Sequence, residues 1–122
     1  MNNQEVFDTV AKHLLTQKQI SANLAACLYR GHSGLKCAIG CLIPDELYDP
    51  AMDDSSSNTG IEETLCEFPQ IRTLFNGVDE RLLSELQLLH DQFDVSEWID
   101  RLRSITRKYI LDASVLHQFQ GT

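Results

Sequence analysis

Residues 79–109 read DERLLSELQLLHDQFDVSEWIDRLRSITRKY, and the spacing of their apolar side chains decides the fold. Leu82, Leu83, Leu86, Leu89 and Phe93 recur so that they share one side of a helix with 3.6 residues per turn. Asp79 precedes the run, and its carboxylate can accept from the free amides of the first turn. A helix is therefore expected from an Asp79 cap through about Phe93. Asp94-Val95-Ser96-Glu97 then supplies an acceptor and, three residues on, the glutamate of a capping arrangement. Behind it a second helix is expected, with Trp98, Ile99, Leu102, Ile105 and Tyr109 on its apolar side. Only a few residues join the two, which predicts an antiparallel pair.

The rest of the chain repeats the helical pattern less strongly. Val6, Phe7, Val10, Leu14 and Leu15 make an apolar stripe that predicts a helix from Asn3, as cap, to about Thr16, with Asp8 acidic in its early turns. Gln17 to Ala22 reads as a connection, with Ser21 able to start a turn. Asp49 to Gly60, with Pro50, Asp53, Asp54, three serines and Asn58, reads as a loop. Thr59 can cap a helix over 60–66 with Glu62 and Glu63 in its first turn. Pro69 to Phe75 suits another, ended by Asn76-Gly77, and Asp112 to Phe119 a last short one. The expected architecture is one mainly α domain over residues 1–122, with about five or six helices and a small β-hairpin near 28–37.

That hairpin is expected because two short runs flank the turn Gly31-His32-Ser33-Gly34, and glycine supplies the positive φ that tight turns need. Cys37 to Ile43 follows, apolar on all sides, and reads as a buried helical turn redirected by Pro44. Pro44 to Tyr48 suits a short new helix, with proline in its first turn.

Composition bounds the function. The net charge of −8 argues against direct nucleic-acid binding, which needs a basic face, and fits a solvated acidic surface. No apolar run is long enough to span a membrane, and the first residues lack the basic start and apolar stretch of a signal peptide, so a cytoplasmic protein is expected. There Cys27, Cys37, Cys41 and Cys66 would stay reduced, as small packing residues.

Four kinds of chemistry are open to these residues. Tyr29, Arg30, His32 and Lys36 bracket the two glycines, so backbone N–H groups, cations and an aromatic face could converge on a small anionic ligand. The plainer alternative pairs Arg30 or Lys36 with Asp45 or Glu46. Cys37 could act as a nucleophile with His90 as base and Asp91 as orienter. Cys37 and Cys41, four residues apart, could begin a metal site completed from Cys27, Cys66, His32 or His90. No second ligand pair accompanies them, and neither a metal nor a cofactor is expected. Finally, the acidic 53–63 region and the outer faces of the last two helices could meet a protein partner, with Arg101, Arg103, Arg107 and Lys108 read as a helix face balanced by acidic surface.

The runs Tyr29-Arg30-Gly31, Gly34 to Gly40, and Leu42 to Met52 resemble a family of small, uncharacterised bacterial and phage proteins marked by K-C-A-I-G-x-L-I-P-D-E-x-Y. Leu86-Gln87-Leu88-Leu89-His90-Asp91 and Trp98 are similar to later elements of that family, so the likeness covers roughly residues 5–110. Its members often carry a small residue where Cys41 stands. The resemblance implies no biochemical activity; a phage source would point to countering host defence. The reading taken forward is a non-catalytic binding protein that sequesters a small nucleotide-type ligand or blocks a host protein, with homo-oligomers open to it. The alternative is a cysteine-dependent hydrolase using Cys37 and His90.

Overall fold

Asn2 starts the first helix, α1 (Asn3–Gln17), by a reciprocal exchange. Its side chain accepts from the Glu5 amide at 2.8 Å, while Glu5 Oε1 accepts from the Asn2 amide at 3.1 Å. The cap expected at Asn3 is thus one residue earlier. Asn3 instead accepts from the Asp79 amide at 2.9 Å, tying the start of α1 to the start of a later helix. Val6, Phe7, Val10, Ala11 and Leu14 are fully buried, each large side chain contributing about 1.5–3 kcal/mol by leaving water.

The computed structural model describes residues 1–21, 29–31, 34–53 and 61–119; of residues 61–63 it describes the backbone. Expectations for Cys27, His32, Thr59 and Gly60 lie outside the described residues. Four more helices follow α1: α2 (Ile61–Glu67), α3 (Pro69–Leu74), α4 (Glu80–Gln92) and α5 (Trp98–Tyr109). Short 3-10 turns lie at Gly40–Leu42, Pro50–Asp53, Val95–Glu97 and Ser114–Phe119. α1 packs on α4, α5, the 40–42 turn and the 114–119 turn, while α2 packs on α3 and α4.

The α4–α5 pair forms as the periodicity requires. Asp79 caps α4 by accepting from the Arg81 amide at 2.9 Å. Leu82, Leu83, Leu86 and Leu89 are buried against Trp98, Leu102 and Ile105 in one continuous core. Asp94 and Glu97 form the expected capping box around the 95–97 turn that leads into α5.

Three local expectations fail. No strand forms among the described residues, and the hairpin reduces to a single antiparallel bridge between Arg30 and Lys36. The Gly31 amide reaches the Leu35 carbonyl at 2.7 Å and the Cys37 amide the Tyr29 carbonyl at 3.4 Å, which leaves the Arg30 and Lys36 backbone groups facing outward, where Asp53 and Gln17 bind them. The pairing stops at its next rung, because the Tyr29 amide donates to Asp53 at 2.7 Å and the Cys37 carbonyl accepts the Cys41 amide. Pro44 to Tyr48 is a hydrogen-bonded turn, in which Leu47 and Tyr48 amides both reach the Pro44 carbonyl, and does not extend to a helix. Part of the expected 49–60 loop is the Pro50–Asp53 turn, with Met52 buried beneath it. The 37–43 segment does form a buried turn, although Cys41 is only half-buried.

Candidate functional site

Three clusters meet on the segment from Tyr29 to Asp53. The first holds Tyr29 and Arg30. The Asp53 carboxylate accepts from both of their amides and from the Tyr48 hydroxyl. Burial above all, with the hydrogen bond to Asp53 next, pushes the Tyr48 phenol far up. The Arg30 guanidinium pairs with Asp45 at 2.7 Å, donates to the Ile43 carbonyl at 3.1 Å and lies 4.3 Å from the centre of the Tyr48 ring. The Tyr29 hydroxyl bonds to Thr64 Oγ1 at 2.9 Å, and burial pushes its phenol up to about 12. Both side chains are therefore engaged within the fold. Close packing locks the arrangement: a Cβ on Gly40 would lie 2.0 Å from the Tyr29 carbonyl oxygen, so only glycine fits there.

The second cluster is built on α4. His90 is fully buried and stacks on Trp98, ring centres 5.9 Å apart. Its Nε2 lies 3.0 Å from the Ser21 amide, which can only donate, so Nε2 is the acceptor. The proton of the neutral ring then sits on Nδ1 and is donated to Asp91 Oδ1 at 2.7 Å. Asp91 Oδ1 also accepts from Gln87 Nε2 at 2.8 Å, and Gln87 Oε1 accepts from the Ile39 amide at 3.1 Å. Ser21 Oγ in turn donates to the Leu35 carbonyl at 3.3 Å. One turn of α4 thus holds the chain at residues 21, 35 and 39.

Cys37 belongs to this core. Its Sγ accepts from the Gly40 amide at 3.2 Å, and burial pushes the thiol far above its ordinary range despite that bond. No hydrogen bond joins Cys37 to His90, both of whose ring nitrogens are engaged elsewhere. The arrangement favours a neutral thiol, whereas nucleophilic attack requires a thiolate. Cys41 and Cys66 are also free thiols, the latter exposed. Among the described residues, no three His, Cys, Asp or Glu side chains gather as metal ligands would.

The third cluster is open to solvent. Thr9, Lys12, His13, Thr16, Gln17 and Cys41 line a cleft of about 480 Å³ beside α1. His13 Nε2 lies 3.0 Å from the Lys36 carbonyl, so it carries the proton and donates; Gln17 Nε2 donates to the same oxygen at 2.9 Å. These bonds hold the Lys36 backbone beside the cleft. Burial pushes the Cys41 thiol up to about 12, against the pull of the nearby Lys36 ammonium. Among the described residues neither Lys12 nor Lys36 has a carboxylate partner.

Of the residues expected to bind an anion, Lys36 has its backbone bonded to two residues of this cleft without lining it, and Tyr29 and Arg30 are turned into the first cluster. Lys12 and His13 were hidden in the sequence as polar positions of an amphipathic helix. Gln87 had a visible signal: it stands three and four residues before His90 and Asp91, on one helix face. No family model, no curated protein and no solved structure matches the chain.

Proposed function

We propose that this chain is a non-catalytic binding domain that takes a small anionic ligand of nucleotide type at the α1 cleft. The observation that carries the reading is the cleft's lining. In a chain of net charge −8, it offers Lys12, His13 and two threonine hydroxyls with no carboxylate among the lining residues, and Lys36 stands beside it. Cation and hydroxyl donors in that grouping suit phosphate oxygens. The buried Cys37 and the fully engaged His90 weigh on the same side, because a hydrolase would need one as thiolate and the other with a free ring nitrogen.

The test is calorimetry with mono-, di- and cyclic nucleotides and with inorganic phosphate, on the native chain and on Lys12→Ala and Lys36→Ala. At least one nucleotide should bind, and each variant should weaken it by about tenfold, the loss of one charge-assisted contact. Absence of heat with every compound would remove the reading. A protein partner is the second reading, favoured by Ile110, which stands 92% exposed in a left-handed backbone conformation. Taken with the resemblance to bacterial and phage proteins, either reading suits a role in countering host defence by sequestration or blockade.

A further inference from the structure

His90 Nε2 has one lone pair, and the Ser21 amide occupies it at 3.0 Å. That nitrogen can accept the amide or bind a proton, but not both. Asp91 holds the other ring nitrogen at 2.7 Å, so the ring cannot offer Nδ1 to Ser21 without giving up that bond. Trp98, stacked on the imidazole, resists any swing of the ring within the core.

We propose that the docking of Ser21 on His90 is a proton-operated latch: uptake of a proton at Nε2 expels the Ser21 amide and loosens Ser21 from α4. The second hold on Ser21 is its own Oγ, which donates to the Leu35 carbonyl at 3.3 Å, and that bond loosens with it. Protonation leaves two N–H groups facing each other in a buried site, and the movable one is on the irregular chain, not on the helix. Asp91 stays in place and balances the imidazolium, so the helix face remains intact while its grip on residue 21 is lost. Among the described residues, the ionisable groups around this site are Asp91 on the same helix and, across from it, Cys37 and Tyr29, whose ionisation the Asp91 charge opposes. Burial holds both neutral through the range in which imidazoles titrate. The sign is fixed by mass action: lower pH adds protons and favours release. The latch is a property of the chain alone and holds whether or not the α1 cleft takes an anion.

The experiment is nitrogen-15 NMR of the full chain between about pH 8 and pH 5, the span in which histidine changes charge. At the upper end, His90 should carry its proton on Nδ1 alone, and the Ser21 amide should show the shift of a hydrogen-bonded donor. As pH falls, the appearance of a proton on Nε2 and the loss of the Ser21 shift should share one midpoint. His90→Gln, which keeps an acceptor near the Nε2 position, should abolish the change at Ser21. Asp91→Asn, which keeps an acceptor for Nδ1 but removes the balancing charge, should move the change to lower pH. The proposal is overturned by a proton on Nε2 at the upper end, by a ring that protonates without disturbing Ser21, by no change across the span, or by a pH response that survives in His90→Gln.

Discussion

Ile110 closes α5 with φ 55° and ψ 56°, a left-handed conformation that crowds a β-branched side chain against its own backbone. Its amide still reaches the Thr106 carbonyl, so the conformation serves the helix end while the side chain stands in water. Replacing Ile110 with glycine keeps the cap and relieves the crowding. Ile110→Gly should raise stability by about 1 kcal/mol, read as a higher urea midpoint with unchanged slope. Gly40 is the opposite case. Gly40→Ala would drive a methyl into the Tyr29 carbonyl, a backbone atom that cannot rotate away, and should cost about 3 kcal/mol or more in the same measurement.

At the scale of the element, the caps and the α4 clasp carry separable predictions. Asn2→Ala removes the acceptor for the Glu5 amide and should lower stability by about 1 kcal/mol. Gln87→Ala leaves the Ile39 amide unpaired at the edge of the core and should cost about 1–3 kcal/mol by chemical denaturation, with amide exchange quickened at Ile39 before the middle of α5. The elements legible in the sequence were those with local causes. α4 and α5 announce themselves through apolar spacing and through Asp79 and Asp94 at their starts, and nothing distant has to be known. The hairpin misled because its outcome depended on distant side chains. Asp53 lies 24 residues from Tyr29, and no local propensity says that it will take the amide that the next rung of a strand pair would have used. The α1 cleft was hidden for the same reason. Lys36 stood out beside its glycines, whereas His13 becomes its neighbour only through the bond to the Lys36 carbonyl, and Lys12 only through the cleft it lines with His13.

For the whole molecule, pH-dependent stability follows from groups the fold keeps neutral. Tyr29 and Cys41 both have their protonated forms favoured, with values pushed up to about 12 from 10.0 and 9.0. A raised value means that the folded chain holds more protons than the unfolded one at high pH. Their contribution is complete below the unfolded values and is lost as pH climbs through about 9 to 12. Thermal midpoints should therefore fall steadily over that interval. Cys41→Ala should remove that residue's share, seen as a shallower decline at its lower end. At the acid end the sign reverses for Asp79 and Asp112. Hydrogen bonds from Arg81 and Ser114 respectively hold these carboxyls below the usual range, so their support is present above the ordinary carboxylate range and disappears as they protonate. No helix among the described residues is long and apolar enough to cross a membrane.

α1 leaves the ribosome before any of its partners. Its starting turn is tied to Asp79 through Asn3 and to Asp112 through Gln4, whose amide donates to the Asp112 carbonyl and whose carbonyl accepts the Asp112 amide. Leu116, fully buried, completes its packing from the 114–119 turn. During synthesis the apolar face of α1 therefore stays incompletely covered until residues 112–119 have been made. Folding of this domain cannot finish before that stretch has emerged, and the nascent helix is the surface that a chaperone would meet.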